Sequence, residues 1–162
     1  MTDPVAARQA VDLGLRFLTH ERVEEAIEAL SDAIRHDPSD AAAHAFLASA
    51  LFAAGRADDA ESAIEQSLIL DPEGFWPQLK AGELRFRLGD TAAAESHFLV
   101  ALRSVEPGTR ESDAAAQALV RARQAKAKSI AHGAVLPARL HRILRRSAPP
   151  TGVTASQARA GP

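Results

Sequence analysis

Apolar side chains recur over the first two thirds of the chain at the three- and four-residue spacing of amphipathic helices, and each second run stops at an acid followed by proline. Asp37-Pro38 and Asp71-Pro72 lie 34 residues apart, and Glu106-Pro107 follows 35 residues later. Proline removes a backbone donor and clashes with the preceding turn, so no helix continues through these points. Between the stops the same columns return: Leu13, Leu47, Ala81; Gly14, Ala48, Gly82; Ala26, Ala60, Ala94; Leu30, Ile64, Phe98; Ala33, Ser67, Ala101. A fixed period of this length marks a stacked unit that cannot bury its apolar face by itself. The pattern predicts helices over 7–19, 23–36, 41–54, 57–70, 75–88 and 91–105, paired as hairpins. Small residues at Gly14, Ala48 and Gly82 are expected to admit the second helix at Ala26, Ala60 and Ala94. Gly55 and Gly89 suit left-handed turns, whereas Glu21 at the first turn implies a slightly different turn there. Asp40 and Asp90 sit where helix N-caps belong.

Over residues 7 to 107 these columns resemble the tetratricopeptide repeat, a helix-turn-helix family of 34-residue units. The resemblance implies an all-α fold: an N-terminal arm at 1–6, then hairpins at 7–40, 41–74 and 75–107 stacked as a right-handed superhelix, an α-solenoid, with a C-terminal capping helix. The family's large aromatic early in the first helix is replaced by Ala10, His44 and Gln78. Arg85 holds the usual aromatic column of the third repeat while Phe86 follows it, which predicts a locally shifted face. In the family the first helices line a concave surface that binds extended or helical peptides. The matching inner positions are Arg8, Val11, Leu15 and Leu18, then Ala42, Ala45, Ser49 and Phe52, then Trp76, Leu79, Glu83, Phe86 and Arg87. They imply a largely apolar channel and a ligand with bulky apolar anchors, with Trp76 packed against a neighbouring repeat or the Pro77 turn as the alternative. Members that clamp acidic C-terminal tails use Lys and Asn at inner positions. Here Val11, Leu15, Phe46 and Trp76 stand there and Lys80 is the compatible residue, which disfavours such a clamp.

A stacked array leaves an apolar end, so a capping helix is expected within 108–131. Ala115, Ala118, Leu119, Ala122 and Ile130 supply its helical spacing, with acids at its start and bases toward its end. His132-Gly133 breaks the pattern. Pro137 opens a short basic segment, 137–146, with Leu140, Ile143 and Leu144 on one side and Arg139, Arg142, Arg145 and Arg146 on the other. It either folds back on the cap or meets a partner or membrane surface. Residues 147–162 lack periodicity and read as a disordered tail or linker.

Charge sharpens this division. Residues 1–113 hold all 21 acids against 10 bases, and residues 114–162 hold 9 bases and no acid. The basic end either neutralises an acidic neighbour within the fold or meets an external anionic partner. Without interleaved aromatics, nucleic acid is disfavoured. Alanine fills 36 of 162 positions and aromatics only 4%, which requires closely packed helices rather than a β-sandwich. No cysteine occurs, so disulfides and thiolate metal sites are ruled out, and a cytoplasmic location is the default. The start lacks a basic leader region, and the longest nearly apolar stretch, Ala41 to Ala54, is too short to span a bilayer.

Catalytic patterns do not appear. His20, His36, His44, His97, His132 and His141 have no metal-binding spacing, and no glycine-rich phosphate loop or nucleophile elbow is present. Paired carboxylates such as Glu24 and Glu28 belong to amphipathic helix faces. No enzyme activity and no cofactor are therefore expected, and the partner is a protein or peptide, with a homo-oligomer left open. Leu68 to Ile130 also resembles the repeat region of bacterial aspartyl/asparaginyl β-hydroxylase-type proteins, through Leu-Asp-Pro-Glu-Gly-Phe-Trp-Pro and Leu-Lys-Ala-Gly-Glu-Leu. This implies a helical accessory domain without the His-x-Asp catalytic half. A fainter likeness, through Ala94-Glu95-Ser96 and the three-repeat length, is to the helical chaperones of type III secretion.

Overall fold

Asp3 and Pro4 open the first helix. The Asp3 carboxylate accepts from the backbone N–H groups of Val5 and Ala6 at 3.1 and 3.0 Å, and Pro4 occupies the first helical position, where its missing donor costs nothing. Pro4, Val5 and Ala6, which periodicity assigns to an arm, are thus the first turn of α1. The cap precedes the first apolar column and is invisible to a search for columns. The Asp3 N–H also donates to His36 O at 3.0 Å, tying this end to the close of the first hairpin.

The computed structural model describes residues 2–131, so the basic segment 137–146 with Arg139, Arg142, Arg145 and Arg146, and the tail 147–162, lie outside the described residues. Among the described residues the elements are α1 (Pro4–Thr19), α2 (Val23–His36), α3 (Ala41–Ala53), α4 (Ala57–Leu70), α5 (Phe75–Arg87), α6 (Thr91–Arg103) and α7 (Arg110–Ala131). Successive helices pair as three hairpins, the first helices stack side by side, and α7 closes the array on α6. None of these helices is long and apolar enough to cross a membrane.

The three hairpin turns are alike, and the expectation of a different first turn is corrected. Arg22, Arg56 and Asp90 each donate a backbone N–H at 2.9 Å to Phe17, Leu51 and Arg85 respectively, closing the same wide turn. Gly55 and Gly89 adopt φ of +79° and +83°, and Glu21 takes φ of +58° in their place, at a conformational cost that glycine avoids. Asp40 and Asp90 cap α3 and α6 by accepting from Ala43 N and Ala93 N, each at 3.0 Å.

Close helix approach is set by a different pairing from the expected one. A β-carbon on Gly14 would stand 2.6 Å from Leu30 Cγ, and one on Gly82 would stand 2.4 Å from Phe98 Cε1. The glycines therefore receive the large Leu30 and Phe98 side chains, while Ala26, Ala60 and Ala94 are fully buried beside them. Ser67 replaces alanine in a sealed column and satisfies its hydroxyl by donating to Ala41 O at 2.6 Å. The third repeat shows no shifted face. Phe86 follows the column of Leu18 and Phe52, and Arg85 pairs with Glu61 at 2.9 Å across the α4–α5 junction.

On α7, Ala115, Ala118, Leu119 and Ala122 are buried against α6. Ile130, read as part of that face, is instead 70% exposed because α7 outruns the helix it covers. Glu95 of α6 accepts from Arg123 at 2.8 Å and from Lys126 at 3.0 Å, and these hydrogen bonds hold its carboxyl below the usual range. Part of the basic charge of the last third is thus spent inside the fold.

Candidate functional site

The 34-residue period brings equivalent residues of α1, α3 and α5 side by side, so a short stretch from each helix can line one cleft. That cleft, about 250 Å³, is lined by Leu18 of α1, by Ala48, Ser49, Phe52 and Ala53 of α3, and by Lys80, Glu83, Leu84 and Arg87 of α5. Lys80 Nζ pairs with Glu83 at 2.9 Å and lies 5.8 Å from the Phe46 ring, and the Arg87 guanidinium lies 5.6 Å from the Phe52 ring. The mouth therefore alternates charge and aromatic surface, where the sequence suggested a largely apolar channel.

The inner positions fall into separate groups. Leu18, Ser49, Phe52, Glu83 and Arg87 meet in the cleft. Val11 and Leu15 are half-buried against the Phe46–Ala50 core, Ala42 packs on that core, and Arg8 is exposed nearer the start of α1. Ala45 and Leu79, at 0% and 4% exposure, are sealed in the helix-packing cores and offer no ligand surface. Phe86 is half-buried on the α6–α7 side. Trp76 lies about two turns before Glu83 on α5, its ring 5.0 Å from Phe46 of the preceding hairpin and 4.9 Å from Phe75. It lines a second recess with Pro77 and with Asp37, Asp40 and Asp71 of the inter-repeat loops. Trp76 thus does both things read as alternatives: it packs on a neighbouring repeat and keeps 38% of its surface exposed.

Ala48, Ala53, Lys80 and Leu84 are the lining residues that inner-position matching leaves out of the groove. Helical spacing carries the signal: Ala53 is one turn after Ser49, and Lys80, Glu83 and Arg87 form one stripe on α5. The polar column that replaces the family's aromatic is also visible. His44 Nε2 bonds to Pro38 O at 3.2 Å, and Gln78 Nε2 donates to Pro72 O while its Oε1 meets His97 Nδ1 at 2.8 Å. Desolvation, reinforced by the Arg85 charge and opposed by Asp90, lowers the His97 pKa.

A family model described as tetratricopeptide repeat matches residues 11–75, the stretch that holds most of the first two hairpins, and the third hairpin repeats their columns. Over residues 11–75 the chain is similar to the tetratricopeptide-repeat family. No curated protein sequence matches it. Among solved structures it is similar to Pseudomonas aeruginosa pilF, with a TM-score of 0.68 and 22% identity over 77% of this chain and 55% of that one. It is similar to the first TPR domain of Spaghetti (RPAP3) bound to the HSP90 peptide SRMEEVD, with a TM-score of 0.62 and 24% identity over 78% of this chain and 97% of that one. The Yersinia enterocolitica chaperone SycD, in complex with a peptide of the translocator YopD, gives a TM-score of 0.61 and 18% identity over 75% and 93%. At these identities the likeness establishes the fold: a right-handed α-solenoid of three tetratricopeptide hairpins with α7 as its cap.

Proposed function

We propose that this chain is a noncatalytic protein-interaction module that takes a peptide or helix of a partner protein in the α1–α3–α5 cleft. The observation that carries the reading is the cleft itself, where Leu18, Phe52, Ala53 and Leu84 give an apolar floor and Lys80, Glu83 and Arg87 a charged mouth. Peptide complexes of the RPAP3 domain and of SycD support this use of the fold. An apolar anchor would displace water from the floor, and a flanking carboxylate would meet Arg87 or compete with Glu83 for the half-buried Lys80. Val11, Leu15, Phe46 and Trp76 offer no donors for a carboxylate clamp beyond the indole N–H, which favours an internal apolar motif over a chain terminus as ligand.

Peptides selected from a random display library on the wild-type protein provide the test. They should share a bulky apolar residue beside an acid, and Ser49→Arg, which fills the cleft, should weaken them about tenfold or more while the far-ultraviolet helical signal is kept. Equal binding to Ser49→Arg would remove the cleft as the site.

A further inference from the structure

The outer face of the first hairpin carries a recess of about 350 Å³, apolar at its base through Leu13, Phe17 and Ala29 and edged by Glu25, Glu28 and Asp32. The repeat shows that this face is built to be covered. In the next hairpins the residues equivalent to Leu13 are Leu47, packed against the preceding helix pair, and Ala81, 2% exposed, whereas Leu13 is 46% exposed. Glu25 and Asp32 hold Arg22 and Arg35 of their own helix at 2.9 and 2.8 Å, in exposed pairs that another guanidinium can replace at little cost. Three acids against Arg35 leave the recess net negative.

The opposite sign lies at the other end of the chain, in the segment 138–146. Its sequence alternates Leu140, Ile143 and Leu144 with Arg139, Arg142, Arg145 and Arg146. We propose that this segment of a second copy occupies the first-hairpin recess, its apolar residues on Leu13 and Phe17 and its arginines on Glu25, Glu28 and Asp32, so that copies join head to tail. Occupancy by the segment of the same copy is the competing outcome, and cross-linking at high dilution separates the two. A contact between two different surfaces does not close on itself, so assembly continues with concentration.

Sedimentation of the full chain over a range of concentrations tests this. At low ionic strength the mean mass should rise with concentration, and the association should weaken about tenfold in high salt, where exposed charges are screened. Leu13→Lys with Glu28→Lys removes the recess, and serine at all of Arg139, Arg142, Arg145 and Arg146 removes the segment. Each variant should stay monomeric with unchanged helical content, and an equimolar mixture should form a dimer and stop, because one native junction remains. Three results overturn the proposal: wild type at monomer mass under all conditions, either variant assembling like wild type, or a Glu28→Cys/Arg142→Cys chain, in this cysteine-free background, cross-linking within single copies at high dilution.

Discussion

In the first hairpin Gly14 lies against Leu30, Ala10 and Ala29 fill the next positions, and Glu21 makes the turn. In the third, Gly82 lies against Phe98, Gln78 meets His97 at the places of Ala10 and Ala29, and Gly89 makes the turn. The helix positions match while the chemistry at each changes in pairs: a bulkier side chain over the same glycine, a hydrogen-bonded polar pair for two alanines. The period thus decides which positions touch, and the contents are adjusted locally so that neither void nor unpaired polar atom results. Among the described residues no buried side-chain polar atom lacks a partner.

The largest effect is expected from breaking the third hairpin at its glycine pocket. Phe98→Ala should cost about 3–5 kcal/mol, read as a lowered denaturation midpoint, since the ring is 2% exposed and fills the space over Gly82. Gly82→Ala meets the rigid ring edge and should cost about 1–3 kcal/mol, against a gain in helix propensity of about 1. Gly14→Ala should cost less, because the Leu30 methyl groups can turn aside. Gly82→Ala with Phe98→Leu should recover most of the loss, a coupling that independent sites would not show.

How far this was legible follows from the same residues. Columns such as Leu30, Ile64 and Phe98 place the helices because apolar periodicity records burial directly. Asp40 and Asp90 were readable as caps because their chemistry is local. The start of α1 at Pro4 was missed because its cap lies outside the apolar pattern, and the similarity of the first turn was missed because Glu21 is no glycine. At the cleft, matching residue by residue found Leu18, Ser49, Phe52, Glu83 and Arg87. It could not show that Ala45 and Leu79 are turned into the packing cores, since inner position and exposure are set by how helices rotate against each other.

The turns offer a smaller and opposite effect. Glu21→Gly should stabilise the chain by about 1 kcal/mol, because the side chain now held at φ +58° gives way to one without that penalty, partly offset by greater freedom in the unfolded chain. Gly89→Glu should destabilise by about the same amount. If both substitutions destabilise, the first turn holds Glu21 for a contact of its own and the two hairpins differ in more than filling.

The smallest effect separates the hairpins by pH. Gln78 Nε2 donates to Pro72 O, which turns its Oε1 toward His97 and fixes the neutral imidazole with its proton on Nδ1. Burial, and then Arg85, keep the folded His97 pKa below the ordinary imidazole value of 6.5, so the unfolded chain takes up this proton first as pH falls. The pair's stabilisation is therefore complete above that value and declines below it until the folded imidazole also protonates. Gln78→Ala with His97→Ala installs the first hairpin's alanine pair in the third. Between the imidazole and carboxylate ranges, the stability of this variant should change less with pH than that of wild type. Parallel pH profiles would mean that protonated His97 is tolerated in place, and that the polar pair differs from the alanine pair in packing alone.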